Sequence, residues 1–245
     1  MINILTKKVL IVFDYFHKKK IINKIKNIDN KNYFKVILDV GAHEGESIDL
    51  FLKNFRVDTI YSFEPSEPTF KKLLKNSEKF KKKFSNTKIY LKNYAVGNIN
   101  KNVELNYLHE TSSSTLKNLN TTSDYFKKKE RYFGKLINKK IVVKQICFRD
   151  YLEKERLEKI DLLKIDTEGY ELEVLMGLKN FISKVSIILF EHHYDNMIVK
   201  NYKFSDIHNL LRNNGFKRIY KTKMPFRKSF DYIYVKNTKF NLPID

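Results

Sequence analysis

The ten residues VILDVGAHEG, 36–45, constrain the fold of this 245-residue chain more than any other stretch. An apolar run carrying one acid, Asp39, reads as a buried strand, and Gly41 and Gly45 mark a turn opening into a helix. A strand that ends this way commonly starts a nucleotide-holding β-turn-α unit. The turn is not G-x-G-x-x-G: the second glycine, which lets backbone approach a pyrophosphate, is absent, and His43 stands in the middle. No G-K-[ST] follows, so the phosphate-cradling lysine of a P-loop is missing as well. What remains suits an adenosine ligand with little or no phosphate.

Downstream the chain alternates strand and helix. Ile48, Phe51, Leu52 and Phe55 recur at helical spacing, and TIYSFE (59–64) is a second strand. EPTFKKLLKNSEKF sets Phe70, Leu73 and Leu74 on one helix face, and KIYLKNYAVG (88–97) predicts a third strand ending near Asn93–Ala95. Regularity lapses over about 101–139, apart from a short strand at 102–108, and this reads as an irregular insertion. Its Ser/Thr-rich part, 109–123, with His109 and Glu110, is the candidate lid for a hydroxylated substrate. Order returns at 141–148, with a short helix through Leu157, a strand at 160–166, a helix at 169–182 carrying Leu172, Leu175 and Met176 inward, and a buried strand at 185–193. The last segment reads helix, strand, turn at Pro225, strand, and two strands without a helix between them pair antiparallel. The alternation predicts an α/β fold around a mostly parallel sheet with right-handed crossovers.

The length suits one sizeable α/β domain, and 42% hydrophobic residues supply a core. Cys147 is the only cysteine, which excludes a disulfide framework and a thiolate metal cluster. With no signal peptide at its start, the sequence predicts a cytoplasmic protein. The net charge of +20 invites a polyanion. Yet only seven of the 48 basic residues are Arg, and the abundant Lys, Asn and Ile share A/T-rich codons; this argues against specific nucleic-acid recognition. Residues 1–34 form a separate basic helical extension ahead of the domain at 35–245. Packing on that domain with lysines outward is the preferred reading, and contact with an anionic membrane surface the lesser one. His17 within it, and His208 on the last helix, read as structural.

Glu64 ends the second strand 25 residues after Asp39, where a carboxylate can accept hydrogen bonds from both hydroxyls of a ribose. Together, DVGAHEGES, YSFEPSEPTFKKLLKN, NYAVG and IDLLKIDTEGYELEVLMG closely resemble the FkbM-type S-adenosylmethionine-dependent methyltransferases, over roughly 36–237. The resemblance implies a Rossmann-like class I methyltransferase fold: a seven-stranded, mostly parallel sheet with an antiparallel last strand and helices on both faces. It implies S-adenosyl-L-methionine as cofactor, with contacts at Asp39, Gly41, His43, Glu64, Pro65, Asn93, Tyr94 and Ala95. Asp39 would lie near the amino-acid end, Glu64 on the ribose, and the Asn93–Ala95 turn near the adenine. The family commonly carries Asn at the position of His43. Gly45 serves close packing at the helix start, and Ser47, one turn on, is a candidate for the methionine carboxylate.

Transfer of the methyl needs an acceptor held in line and a group to take its proton. Asp166, at the end of a central strand, sits where the resemblance puts the methyl, as base, orienting group or ion ligand. Glu168 and Glu171 lie near it in sequence, although capping of the next helix is the plain alternative. Glu191, His192 and His193 end the neighbouring strand; alternation turns Glu191 and His193 to one side and His192 to the other, and His192 is the candidate base. A divalent ion at Asp166, Glu191 and a histidine is conceivable, but no ligand spacing indicates one. The acceptors implied are hydroxyls of a glycan, a nucleotide-sugar or a natural product. RNA methylation and a nicotinamide-dependent oxidoreductase are the alternatives. The sequence leaves the oligomeric state open.

Overall fold

The computed structural model describes residues 4–29, 32–109 and 113–237. Glu110 of the candidate lid lies outside them. One seven-stranded sheet organises the molecule: Tyr33–Val40 (β1), Arg56–Phe63 (β2), Lys88–Lys92 (β3), Ile160–Ile165 (β8), Val185–His193 (β9), Phe216–Lys223 (β11) and Ser229–Lys236 (β12). Their spatial order is β11-β12-β9-β8-β1-β2-β3. β1, β2, β3, β8 and β9 pair in parallel, while β12 runs antiparallel to both β9 and β11. The last strand is therefore the inverted one, as the class I methyltransferase expectation requires.

Strands buried on both faces need apolar residues on both, and β1 supplies them. Leu38 and Val40 pack with Phe148, Leu152, Val174, Leu178 and Leu211 from the helices Phe148–Lys154 (α5), Glu171–Leu178 (α6) and Phe204–Asn213 (α7). Ile37 packs on the opposite face with residues of Ile4–Asp29 (α1), Glu46–Asn54 (α2) and Glu67–Lys83 (α3). Ser66 caps α3 by accepting from the Thr69 amide.

Two expectations are refined. The third strand, expected to end near Asn93–Ala95, stops at Lys92, and Ala95–Gly97 (β4) leaves for a second sheet with Lys101–Leu108 (β5) and Asn138–Cys147 (β7), in the order β4-β7-β5. There α6 crosses so closely that a Cβ on Gly177 would fall 2.1 Å from the Gly97 carbonyl oxygen. Second, the 101–139 stretch is largely regular. β5 and β7 pair antiparallel from Lys101↔Gln145 to Leu108↔Asn138, and Ser123 caps a helix at Asp124–Phe133 (α4). A two-residue strand, Asn118–Leu119 (β6), pairs with Ile198–Val199 (β10), so the insertion docks on the loop that follows β9. Leu108, Phe126, Leu136, Met197 and Ile198 form the small core beneath it.

The helix α1 is held along one row. Ile21 and Ile25, with Ile22 beside them, are buried against the α2 side of the sheet, and one turn earlier His17 reaches Asp231 of β12 at 2.6 Å. Removing one partner of a buried polar pair leaves the other unsatisfied, at a cost of ~1–3 kcal/mol. His17→Ala should therefore lower the unfolding free energy, read by urea denaturation at neutral pH, by about 2 kcal/mol. An unchanged midpoint would show that the isoleucines alone hold the helix.

Candidate functional site

The carboxyl ends of β1, β2 and β8 frame a cleft, the place where open α/β sheets bind ligands. It is lined by Gly41, His43, Glu64, Pro65, Tyr94, Ala95, Asp166 and Glu168 from the sequence-predicted set, with Val96, Leu105, Ser114, Leu116, Thr167 and Tyr170. Asp39, Gly45, Ser47, Asn93 and His192 do not line it.

Gly41 makes the first turn possible. Its φ is +81°, and a Cβ there would lie 1.8 Å from the Asp166 carbonyl oxygen, so β1 and β8 can close together only over a glycine. Below the turn lies Lys164, which sequence reading passed over. Its ammonium donates to the Gly41 carbonyl at 2.7 Å and pairs with Asp39 at 3.2 Å and Asp166 at 3.5 Å. Burial works against its charge, but Asp39 and Asp166 outweigh that and raise its pKa. A lysine inside the apolar run IDLLKID was the available signal, because a buried charge demands partners. Asp39 is fully buried and also accepts from Ser47 Oγ at 2.5 Å. Both residues thus sit one layer behind the cleft. Gly45 heads α2 and packs against Phe80 and Leu73.

Glu64 is fixed from two sides. One oxygen accepts from the His43 amide at 3.1 Å and the other from the Ser66 amide at 2.9 Å. Burial nevertheless lifts its pKa to about 7, with those two hydrogen bonds opposing. Asn93 braces the same loop, its amide donating to the carbonyls of Glu64 and Pro65 at 2.8 and 3.1 Å. The His43 ring turns to Glu46 at 3.0 Å; burial draws its pKa down, but Glu46 outweighs this and the net shift is upward. Tyr94, Ala95, Val96, Leu105 and Leu116 supply the apolar end of the cleft.

At the other end the backbone after β8 is wound tightly, with Glu168 at φ +50° and Gly169 at +94°. Neither Asp166 nor Thr167 caps the following helix. Glu171 does the bracing: wholly buried, it accepts from the Gly169 amide at 2.8 Å, Thr167 Oγ1 at 3.2 Å and the Tyr202 hydroxyl at 2.6 Å. From the insertion, Thr115 donates to the Glu168 carbonyl at 2.5 Å, so the candidate lid is bonded to the site it covers.

The two histidines part ways. His192 is buried among the rings of Tyr194, Tyr202 and Phe204, and burial, then Lys200 and His193, lower its pKa to about 3. His193 faces the carboxylates instead: Glu168 at 3.1 Å, Glu191 at 3.2 Å and Asp195 at 3.3 Å. Burial opposes its charge, yet Glu168 and Glu191 raise its pKa, while burial raises that of Glu191 to about 8. The histidine that meets the cleft acid is His193. Among the described residues no group of His, Cys, Asp and Glu has an arrangement that could hold a metal ion.

With this geometry in view, the likeness to known proteins is informative. A FkbM methyltransferase from Methylobacillus flagellatus KT aligns at TM-score 0.55 and 14% identity, over 83% of this chain and 44% of that one. This chain thus spans less than half of that protein's length. Magnesium protoporphyrin IX methyltransferase from Synechocystis PCC 6803 aligns with bound SAM at TM-score 0.55 and 10% identity, over 96% and 85% of the two chains. The same enzyme with bound SAH aligns at TM-score 0.54 and 10% identity, over 96% and 88%. At these identities the likeness shows the class I fold. No curated protein matches the sequence. The profile of the methyltransferase FkbM domain matches residues 39–218, well over half of the chain, and the chain belongs to that methyltransferase family.

Proposed function

We propose that this protein is an S-adenosylmethionine-dependent O-methyltransferase whose acceptor is a hydroxyl of a glycan, a nucleotide-sugar or a natural product. The observation that carries the reading is the placing of Glu64 and Asp166 in one cleft, with an apolar wall beside the first and a second acid, Glu168, beside the other. The residues fit the cofactor. Glu64 is buried with its carboxylate held by two amides, as a ribose-binding acid needs, and Pro65, Tyr94, Val96, Leu105 and Leu116 offer an adenine-sized apolar wall. Neighbouring folds that bind SAM and SAH support the same assignment. Bound there, S-adenosylmethionine supplies an electrophilic methyl on a sulfonium.

The chain's own residues then have three tasks. Glu64 accepts the ribose hydroxyls. Asp166, whose side chain is about a third exposed, at 37%, holds the acceptor hydroxyl and takes its proton. Glu168 flanks it, paired with His193 beneath at 3.1 Å, so two carboxylates stand at the methyl end of the cleft, where a cation is to be bound. His192, neutral and enclosed by rings, packs rather than titrates.

Two outcomes test this. Titration calorimetry should show S-adenosylmethionine binding that weakens about tenfold from pH 8 to pH 6, because protonation of Glu64 near pH 7 removes an acceptor lone pair. Glu64→Gln should bind more weakly and lose most of that pH dependence; wild-type affinity in the variant sinks the ribose assignment. Binding of a nicotinamide dinucleotide in its place would mean an oxidoreductase. For Asp166→Asn, transfer should fall by roughly 10²–10⁴-fold while the fold is kept. Mass spectrometry of glycans from cells carrying that variant should then show the same missing methyl as cells without an active copy. A fully methylated glycan would move the proton acceptor elsewhere.

A further inference from the structure

The methyl-transfer site leaves one surface unexplained. Along α1, Asp14, His17, Ile21 and Ile25 form the inward row: Asp14 lies 3.7 Å from Arg227, His17 on Asp231, and the isoleucines in the core. Helical spacing puts Val12, Tyr15, Phe16, Lys19 and Lys20 on the opposite side. There Val12 is 52% exposed, Tyr15 61% and Phe16 54%, and the lysines follow within a turn. Phe13, 44% exposed, turns sideways and meets Phe226 edge to face at 5.2 Å. Phe226 belongs to the turn between β11 and β12, is 62% exposed, and stands among Lys223, Arg227 and Lys228. Two segments more than 200 residues apart thus build a single aromatic patch ringed by basic side chains. Monomers rarely leave contiguous apolar surface of this kind in water without a use for it.

We propose that this patch docks the protein on the surface of an anionic lipid bilayer. A helix lying in the interface presents apolar and aromatic side chains to the acyl boundary and lysines to the headgroups, which is the composition found here. Charge selects among occupants. Two copies of this surface would bring their lysines together, whereas anionic headgroups attract them. The aliphatic Val12 and the scarcity of Arg favour lipid over nucleic acid. No helix among the described residues is long and apolar enough to cross a membrane, so the contact is peripheral.

The patch adjoins the carboxyl edge of the sheet. Ser229, next after the turn, pairs in register with His193, and the Tyr194 amide donates to the Lys228 carbonyl at 2.7 Å. The β11–β12 part of the patch therefore lies at the same edge of the sheet as the cleft. On the methyl-transfer reading, this suits an acceptor carried on a lipid.

Vesicle flotation of the full chain tests the proposal. The protein should float with vesicles of phosphatidylglycerol and phosphatidylcholine, much less with phosphatidylcholine alone, and less as salt is raised. Lys19→Glu with Lys20→Glu should weaken binding by at least about thirtyfold, from the loss of roughly 1 kcal/mol per surface lysine. Tyr15→Ser with Phe16→Ser, both at exposed positions, should weaken it at least tenfold while the melting temperature and S-adenosylmethionine affinity stay unchanged. That last control separates this proposal from the catalytic one. Failure to float, or equal flotation of all three proteins, overturns it. So does a dimer in sedimentation that Phe16→Ser dissolves without vesicle binding, or retention on polyuridylate alone.

Discussion

The site depends on one buried cation. Lys164 lies within β8, where its neighbours in the strand are apolar, and its ammonium is held by the Gly41 carbonyl, Asp39 and Asp166. Two of those groups belong to β1 and its turn, the third to the end of β8. The ammonium thereby fastens together, from below, the two chain segments whose ends form the cleft floor. A charge this enclosed is retained only when partners surround it, and stripping away one of them leaves the rest uncompensated. The arrangement explains why an acid sits inside an otherwise apolar strand: Asp39 is half of a clamp, and Ser47 steadies its other oxygen. The cleft residues above then need little flexibility of their own.

Seen from that clamp, the cleft has two ends of different character. At one, Glu64 is held by amides and walled by apolar side chains, and burial leaves it close to half ionised near neutral pH. At the other, Asp166 and Glu168 stand over His193, whose imidazolium is stabilised by Glu168 and Glu191. The molecule as a whole carries +20, yet the acids gather where its strands end. A global excess of lysine and a local excess of carboxylate do not conflict, because screening limits exposed charges to about 10 Å while enclosed ones act on each other at short range.

Much of this was legible in the sequence. The mostly parallel sheet followed from alternation, the inverted last strand from two strands lacking a helix between them, and the position of Glu64 from the end of the second strand. Alternation also set Glu191 and His193 on one side of β9, which their 3.2 Å separation bears out. What stayed hidden was tertiary. Which side of β9 meets the cleft depends on where the loop after β8 folds back, and Glu168 is 25 residues from His193 in the chain. Lys164 is a single letter, and two of its three partners, Asp39 and Gly41, lie more than 120 residues earlier. The insertion looked irregular because its strands are exposed on one face and carry many polar residues; pairing between β5 and β7, rather than burial, orders it. The departure of Ala95–Gly97 into a second sheet was invisible for a related reason, since both halves of KIYLKNYAVG favour strand and only the position of that sheet separates them.

The insertion and the helix α1 extend the logic of the clamp to the rest of the molecule. Neither belongs to the seven-stranded frame, yet each is bonded to its carboxyl edge: Thr115 to the backbone of Glu168, β6 to β10 after β9, and His17 to Asp231, the register partner of Glu191. Asp231 and Glu191 are acids facing each other across two strands. Burial raises the pKa of both, which lessens the repulsion by favouring protonation, and His17 opposes this at Asp231 by offering it a partner. An imidazole delivered by α1 therefore bears on the acids at the carboxyl edge of the sheet.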